Sequence, residues 1–141
     1  MSRPILQESI TGASAAVQGE EFAGKGHVTW GLQVVAEGLN TAGGDAFTVR
    51  LEVEGENGEW SPVLDESDAS VLGEITEPDV VDVDGDGTTY NGFVRVHGLP
   101  APSVRAHLST YTDGGSGFTV DAYVMGAGNA GTGSAYLSGS I

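Results

Sequence analysis

Residues 46–54 read AFTVRLEVE, and this stretch decides the fold class. Phe47, Val49, Leu51 and Val53 fall on one side of an extended chain, with Thr48, Arg50, Glu52 and Glu54 on the other. Successive side chains of a strand point to opposite faces, so this alternation predicts a half-buried antiparallel strand. The same period recurs outward from it. HVTWGLQVV (27–35) aligns Val28, Trp30, Leu32 and Val34. SVRAHLSTY (103–111) sets Val104, Ala106 and Leu108 against Arg105, His107 and Ser109, and FTVDAYVMG (118–126) aligns Phe118, Val120, Ala122 and Val124. Shorter strands are expected near 60–64 and 92–98, and no window carries a helical stripe. GLNTAGGD (38–45) reads as a hairpin loop, and GENGE (55–59) and TDGGSG (112–117) as turns. The expected fold is all-β, an antiparallel β-sandwich of about seven to eight strands with extended terminal arms.

The 141 residues allow one domain. Residues 1–24 lack periodicity and read as an N-terminal arm, 25–126 as the sandwich, 65–91 as an acidic excursion within it, and 127–141 as a Gly-rich tail. Ordering such a tail costs about 1–2 kcal/mol per residue in backbone entropy, so it gains order only between partners. Tyr136, Leu137 and Ile141 are its apolar anchors for a subunit or shell interface.

Twenty Asp and Glu stand against five Lys and Arg, for a net charge of −15. Phosphate neutralisation on a nucleic acid and attraction to an anionic membrane are thereby excluded as binding modes. The absence of Cys removes disulfides, thiol catalysis and Cys-based metal sites. No apolar run approaches the roughly 20 residues of a membrane span. MSRPILQESITGAS lacks a signal peptide's apolar core, so synthesis in the cytoplasm without signal-directed export is expected.

The charge is unevenly placed. Residues 51–86 hold thirteen acids and no base, whereas 87–141 hold Asp113 and Asp121 against Arg95 and Arg105. Many acids with a single lysine match a salt-adapted protein, in which carboxylates hold water while salt mutes their repulsion; an acidic binding face for a cationic partner is the competing reading. The neutral C-terminal part then implies a covered surface, either within the fold or beneath neighbouring subunits.

DVDGDG (82–87) matches the opening of a calcium loop, with Asp82, Asp84 and Asp86 at positions 1, 3 and 5 and Gly87 at position 6. These three carboxylates are the candidate ligands for a Ca or Mg ion. The closing position holds Phe93 where a bidentate Glu is required, so a solvated acidic turn is the competing reading. His27, His97 and His107 show no zinc-ligand spacing and read as polar positions on a sheet face. There is no G-x-S-x-G elbow, and the acids stand in charge runs or turns, so a non-enzymatic protein without a certain cofactor is expected.

FTVRLEVEGENGEWSPVLD (47–65) resembles a recurrent pattern of small β-sandwich virion proteins of tailed phages, in which a TVxLEGS strand runs through a DGxxW turn into a short strand. VRAHLSTYTDGGSGFTVDAYVMGAG (104–128) resembles their closing hairpin. The resemblance spans about half the chain and carries no catalytic motif. With the acidic composition, it implies a virion protein of a haloarchaeal tailed virus that decorates the capsid, forms a turret or spike, or belongs to the tail. The implied partners are the major capsid or tail protein and further copies of the chain. A carbohydrate-binding or adhesive module is the alternative, with Trp60 and Tyr90 exposed around the acidic loop.

Reducing salt from 1 M to 0.1 M lengthens the screening distance from about 3 Å to 10 Å. The melting temperature should therefore fall on dilution from molar salt. An unchanged value contradicts a salt-adapted surface.

Overall fold

The computed structural model describes residues 5–128, which form ten strands and no α-helix. β1 (Ile5–Ala13), β10 (Thr119–Ala127), β3 (Thr29–Glu37) and β8 (Thr89–His97) make one sheet in that spatial order. The second runs β2 (Val17–Ala23), β9 (Ser103–Thr112), β4 (Ala46–Glu54), β5 (Trp60–Leu64) and β6 (Val71–Leu72), with β7 (Glu74–Thr76) also on β4. All these pairs are antiparallel. The chain passes from one sheet to the other between β1 and β2, β2 and β3, β3 and β4, β7 and β8, β8 and β9, and β9 and β10. This order is that of a jelly roll.

β5 and β7 together occupy one strand position. Trp60–Pro62 pair with the C-terminal end of β4 and Glu74–Thr76 with its N-terminal half, both antiparallel. Residues 63–72 loop out between them as a small hairpin, with Val63 opposite Leu72 and Leu64 opposite Val71. The Leu51 N–H bonds the Gly73 carbonyl at 2.9 Å, where the chain rejoins β4. The acidic excursion is therefore an insertion into an edge strand, followed by an irregular segment whose Val81 bridges to Asn91 of β8.

The core lies between the sheets. Phe47, Val49, Leu51, Val104, Ala106 and Leu108 meet Trp30, Leu32, Val34, Val120, Ala122 and Val124, all buried as the alternation predicts. Val53, at the end of β4, is only half-buried. Phe118 packs against Phe47 at 6.2 Å between centroids and stacks on Tyr111 at 4.4 Å. Trp30 is also core, with its Nε1 donating to the Leu99 carbonyl at 2.9 Å.

Three expectations are corrected. Residues 5–23 are not an arm but contain β1 and β2, the outer strands of their sheets on one side of the sandwich. Register shifts at Glu8/Ile10 and Ile10/Ala13 in β1, and at Gln18/Glu21 in β2, break the period-2 pattern there. At one of these breaks buried Ser9 donates to the Glu20 carbonyl at 2.8 Å and accepts the Ala106 N–H at 3.1 Å, joining the two sheets. GLNTAGGD is not a hairpin loop, because β3 and β4 lie in different sheets, and its eight residues cross the roughly 10 Å between them. For the same reason β9 and β10 do not form a closing hairpin.

Gly73 adopts φ +68° beneath the insertion, where an added Cβ would lie 3.0 Å from Val96 Cγ2 and 3.2 Å from Leu51 Cβ. Gly85, at φ +70°, would meet nothing within 4 Å. Left-handed backbone costs an L-residue roughly 1–2 kcal/mol at either site. Thermal denaturation should show Gly73→Ala destabilised beyond Gly85→Ala by about 1 kcal/mol or more from the added crowding. Equal losses would mean that the core yields at Gly73 without cost.

Candidate functional site

The outward face of β4 and β9 carries a buried charge centre. Glu52 is 2% exposed although it lies on the side of the sheet away from the core. Antiparallel register places it directly opposite Arg105, and Arg50 opposite His107. Its Oε1 accepts Arg105 Nε at 2.9 Å and Nη2 at 2.7 Å. Its Oε2 accepts Arg50 Nε at 2.9 Å and His107 Nδ1 at 2.8 Å, with Arg50 Nη2 in ion-pair contact at 2.9 Å. An ionised carboxylate can only accept, so His107 carries its proton on Nδ1. The Trp60 ring of β5 covers the Arg105 guanidinium at 4.3 Å, and Gln18 of β2 accepts from Arg105 Nη1 at 3.4 Å.

Burial pushes the Glu52 carboxyl up, but the hydrogen bonds from His107, Arg105 and Arg50 outweigh it and hold the group below its ordinary value. A carboxylate offers about four acceptor positions, and the donors of Arg50, Arg105 and His107 fill them. Glu52 therefore presents no free acceptor position while it is ionised. It binds β4 to β9, and Trp60 and Gln18 extend the contacts of its partner Arg105 to β5 and β2.

A second buried carboxylate fixes the loops at one end. Asp45 accepts the Asn40 N–H at 2.8 Å, the Gly114 N–H at 2.6 Å and the Ser116 hydroxyl. Burial raises its carboxyl, and the bonds from Ser116, Asn40 and Gly114 lower it further than burial raises it. The two crossing loops are thereby held together.

The sequence-predicted metal ligands face their own backbone. Asp82 accepts the Asp86 N–H at 3.2 Å and the Gly87 N–H at 2.7 Å, while Asp86 accepts those of Thr88 and Thr89 at 2.9 and 3.0 Å. Asp84 is exposed on the same turn. Among the described residues no three His, Asp or Glu side chains converge as metal ligands. The histidines are dispersed: His97 and His107 lie on different sheets, and His27 Nδ1 contacts the Gly128 carbonyl at 2.9 Å. Trp60 and Tyr90 also lie on different sheets, and Tyr90 packs against the core, so they form no common platform. Tyr136, Leu137 and Ile141 lie outside the described residues.

Sequence reasoning missed Glu52 by treating it as one acid of a charge run. The available signal was Arg50-x-Glu52 facing Arg105-x-His107 on the polar sides of two strands.

The outer face of the other sheet has a different character. One row across it is Leu6, Met125, Gly31 and Arg95, and the next is Glu8, Tyr123, Gln33 and Phe93. Phe93 is 47% exposed and Leu6 44%. Gly31 leaves space that the Phe93 ring enters, since a Cβ there would lie 2.6 Å from Phe93 Cζ. Asp121, on the same face, accepts the Gly12 N–H.

No protein-family model matches the chain, and no curated protein matches it. Among solved structures it is similar to that of SPBc2 prophage-derived protein YomS, at 14% identity and a TM-score of 0.48, over 90% of this chain and 97% of that one.

Removing one member of a buried charge cluster costs about 3–5 kcal/mol, because its partners are left uncompensated. Glu52→Gln should lower stability at neutral pH by about 3 kcal/mol, measured by chemical denaturation. The Glu52 contribution is complete above the ordinary glutamate value of 4.5 and is lost as pH falls through the depressed folded value. The gap between wild type and variant should accordingly close on acidification below pH 4.5. A gap independent of pH would show that the carboxylate charge is not what the cluster uses.

Proposed function

We propose that this protein is a non-enzymatic structural component of a tailed virus of haloarchaeal type, decorating the capsid or contributing to a turret. It packs on its particle through the outer face of the β1-β10-β3-β8 sheet. The observation that carries this reading is that exposed Phe93 and Leu6 lie with half-buried Tyr123 and Met125 on one sheet face, between Glu8 and Arg95, of a protein of charge −15. A salt-adapted surface left in water gains from acid at every wetted position, whereas an apolar face gains from being covered.

The fold and the sequence resemblance support the same reading. Jelly rolls serve in viral capsids and also in lectins, so topology alone does not choose between them. The separation of Trp60 from Tyr90 removes the paired aromatic platform on which the carbohydrate alternative rested. The stretch 47–65 resembling phage virion proteins lies on β4 and β5, and 104–128 lies on β9 and β10. Further copies of the chain and the capsid or tail protein are the proposed partners, and the virion is its proposed location. A place in the tail is the alternative within this role.

Mass spectrometry of purified particles tests the role by copy number. Hundreds of copies per particle indicate shell decoration, tens indicate turret or tail, and none overturns the proposal. Phe93→Asp should leave the protein folded, at a cost of about 1 kcal/mol for the lost strand packing, yet abolish incorporation into particles. Normal incorporation of that variant would place the packing face elsewhere.

A further inference from the structure

The inserted hairpin creates a groove that the sandwich itself does not need. Between residues 63–72 and the end of β8 runs a groove of about 520 Å³ with an apolar floor that includes Leu64, Leu72, Val96 and Leu99. Leu64 is 49% exposed and Leu72 36%. Asp65 and Glu66 line the same groove at the hairpin turn. Asp65 is oriented by Ser67, whose N–H donates to it at 2.8 Å, and Asp68 accepts the Ser70 N–H at 3.0 Å, so the acidic turn has a fixed shape.

We infer that this groove is the docking site for a segment of another protein that carries Lys or Arg beside leucine-like side chains. Charge complementarity selects that occupant. The hairpin turn carries Asp65, Glu66 and Asp68 and no Lys or Arg, so an anionic or neutral segment gains no charge attraction at the rim. A second copy of this chain is a poor match. It brings a charge of −15, and two of its five Lys and Arg, Arg50 and Arg105, are committed to Glu52. The apolar floor supplies the other half of the specificity, since side chains of the partner that cover Leu64 and Leu72 remove apolar surface from water. The groove lies between the inserted hairpin and the β8–β9 turn, so this inference stands apart from the role of the outer sheet face.

Two synthetic hexapeptides test the inference on the purified protein by two-dimensional NMR. One carries two leucines between paired lysines, and the other is hexalysine. The leucine peptide should shift the amide signals of residues 63–72 and 96–99 and bind about tenfold more tightly than hexalysine. Leu72→Glu and, independently, Leu64→Glu should each remove that advantage while keeping the spectrum of the folded protein, both side chains being exposed. Equal binding of the two peptides, shifts spread over the acidic surface outside the groove, or an advantage that survives both substitutions would overturn the inference. So would concentration-dependent self-association whose shifts map to the groove, because it would make a second copy the occupant.

Discussion

The pairing of β4 with β9 carries the molecule, because both of its faces are closed. On the inner side Phe47, Val49 and Leu51 meet the core beside Val104, Ala106 and Leu108. On the outer side, where a sandwich sheet ordinarily meets water, Glu52 gathers Arg50, Arg105 and His107 under the Trp60 ring. Withdrawing such charges from water costs several kcal/mol per ion, and hydrogen bonds filling every acceptor position of the carboxylate offset that cost. The result fixes register as well as strand order. A slip of one residue along β9 would bring apolar side chains to face the carboxylate and send Arg105 into the core.

This arrangement also explains the distribution of charge along the chain. The near-neutral segment after residue 87 supplies β9 and β10, and each is an inner strand flanked on both sides. Their inward residues fill the core, and the outward Arg105 and His107 of β9 are committed to Glu52. Much of the C-terminal neutrality is therefore covered by the fold itself. The acid-rich segment supplies the interrupted strand at the sheet margin and the turns around it, where water can hold its carboxylates. Tyr123, Met125 and Phe93 lie on the outward side of β10 and β8, beside Asp121 and Arg95.

The legible parts of the sequence were those where one period holds without interruption. In β3, β4, β10 and β9 as far as Leu108 the alternation identified nearly every core residue, since a regular strand maps sequence parity directly onto burial. β1 and β2 were hidden by their bulges, which shift parity in mid-strand and leave no stretch long enough to read. The loops misled for a different reason. Gly, Asn and Asp report that the chain turns, but whether the next strand pairs with the last or crosses to the opposite sheet depends on partners far away in sequence. Asp45 shows this well, because its role as clamp becomes visible only once Gly114 and Ser116 stand beside it. Glu52 was obscured by its acidic neighbours, and only the register with Arg105 and His107 sets it apart.

The interrupted strand shows how the fold accommodates additional surface. An edge strand has one hydrogen-bonded neighbour, so a loop can leave it without depriving a second strand of partners. The insertion of residues 63–72 uses this freedom: β4 keeps its ladder to β5 before the break and to β7 after it, and the Gly73 carbonyl keeps the Leu51 N–H paired at the junction. An equivalent insertion in β9 or β10 would strip hydrogen bonds from both sides and open the core. The insertion therefore leaves from the margin of one sheet, on the side of β4 away from β9. That margin also carries Asp65, Glu66 and Asp68, so a polar edge and an apolar interior follow from the same topological constraint.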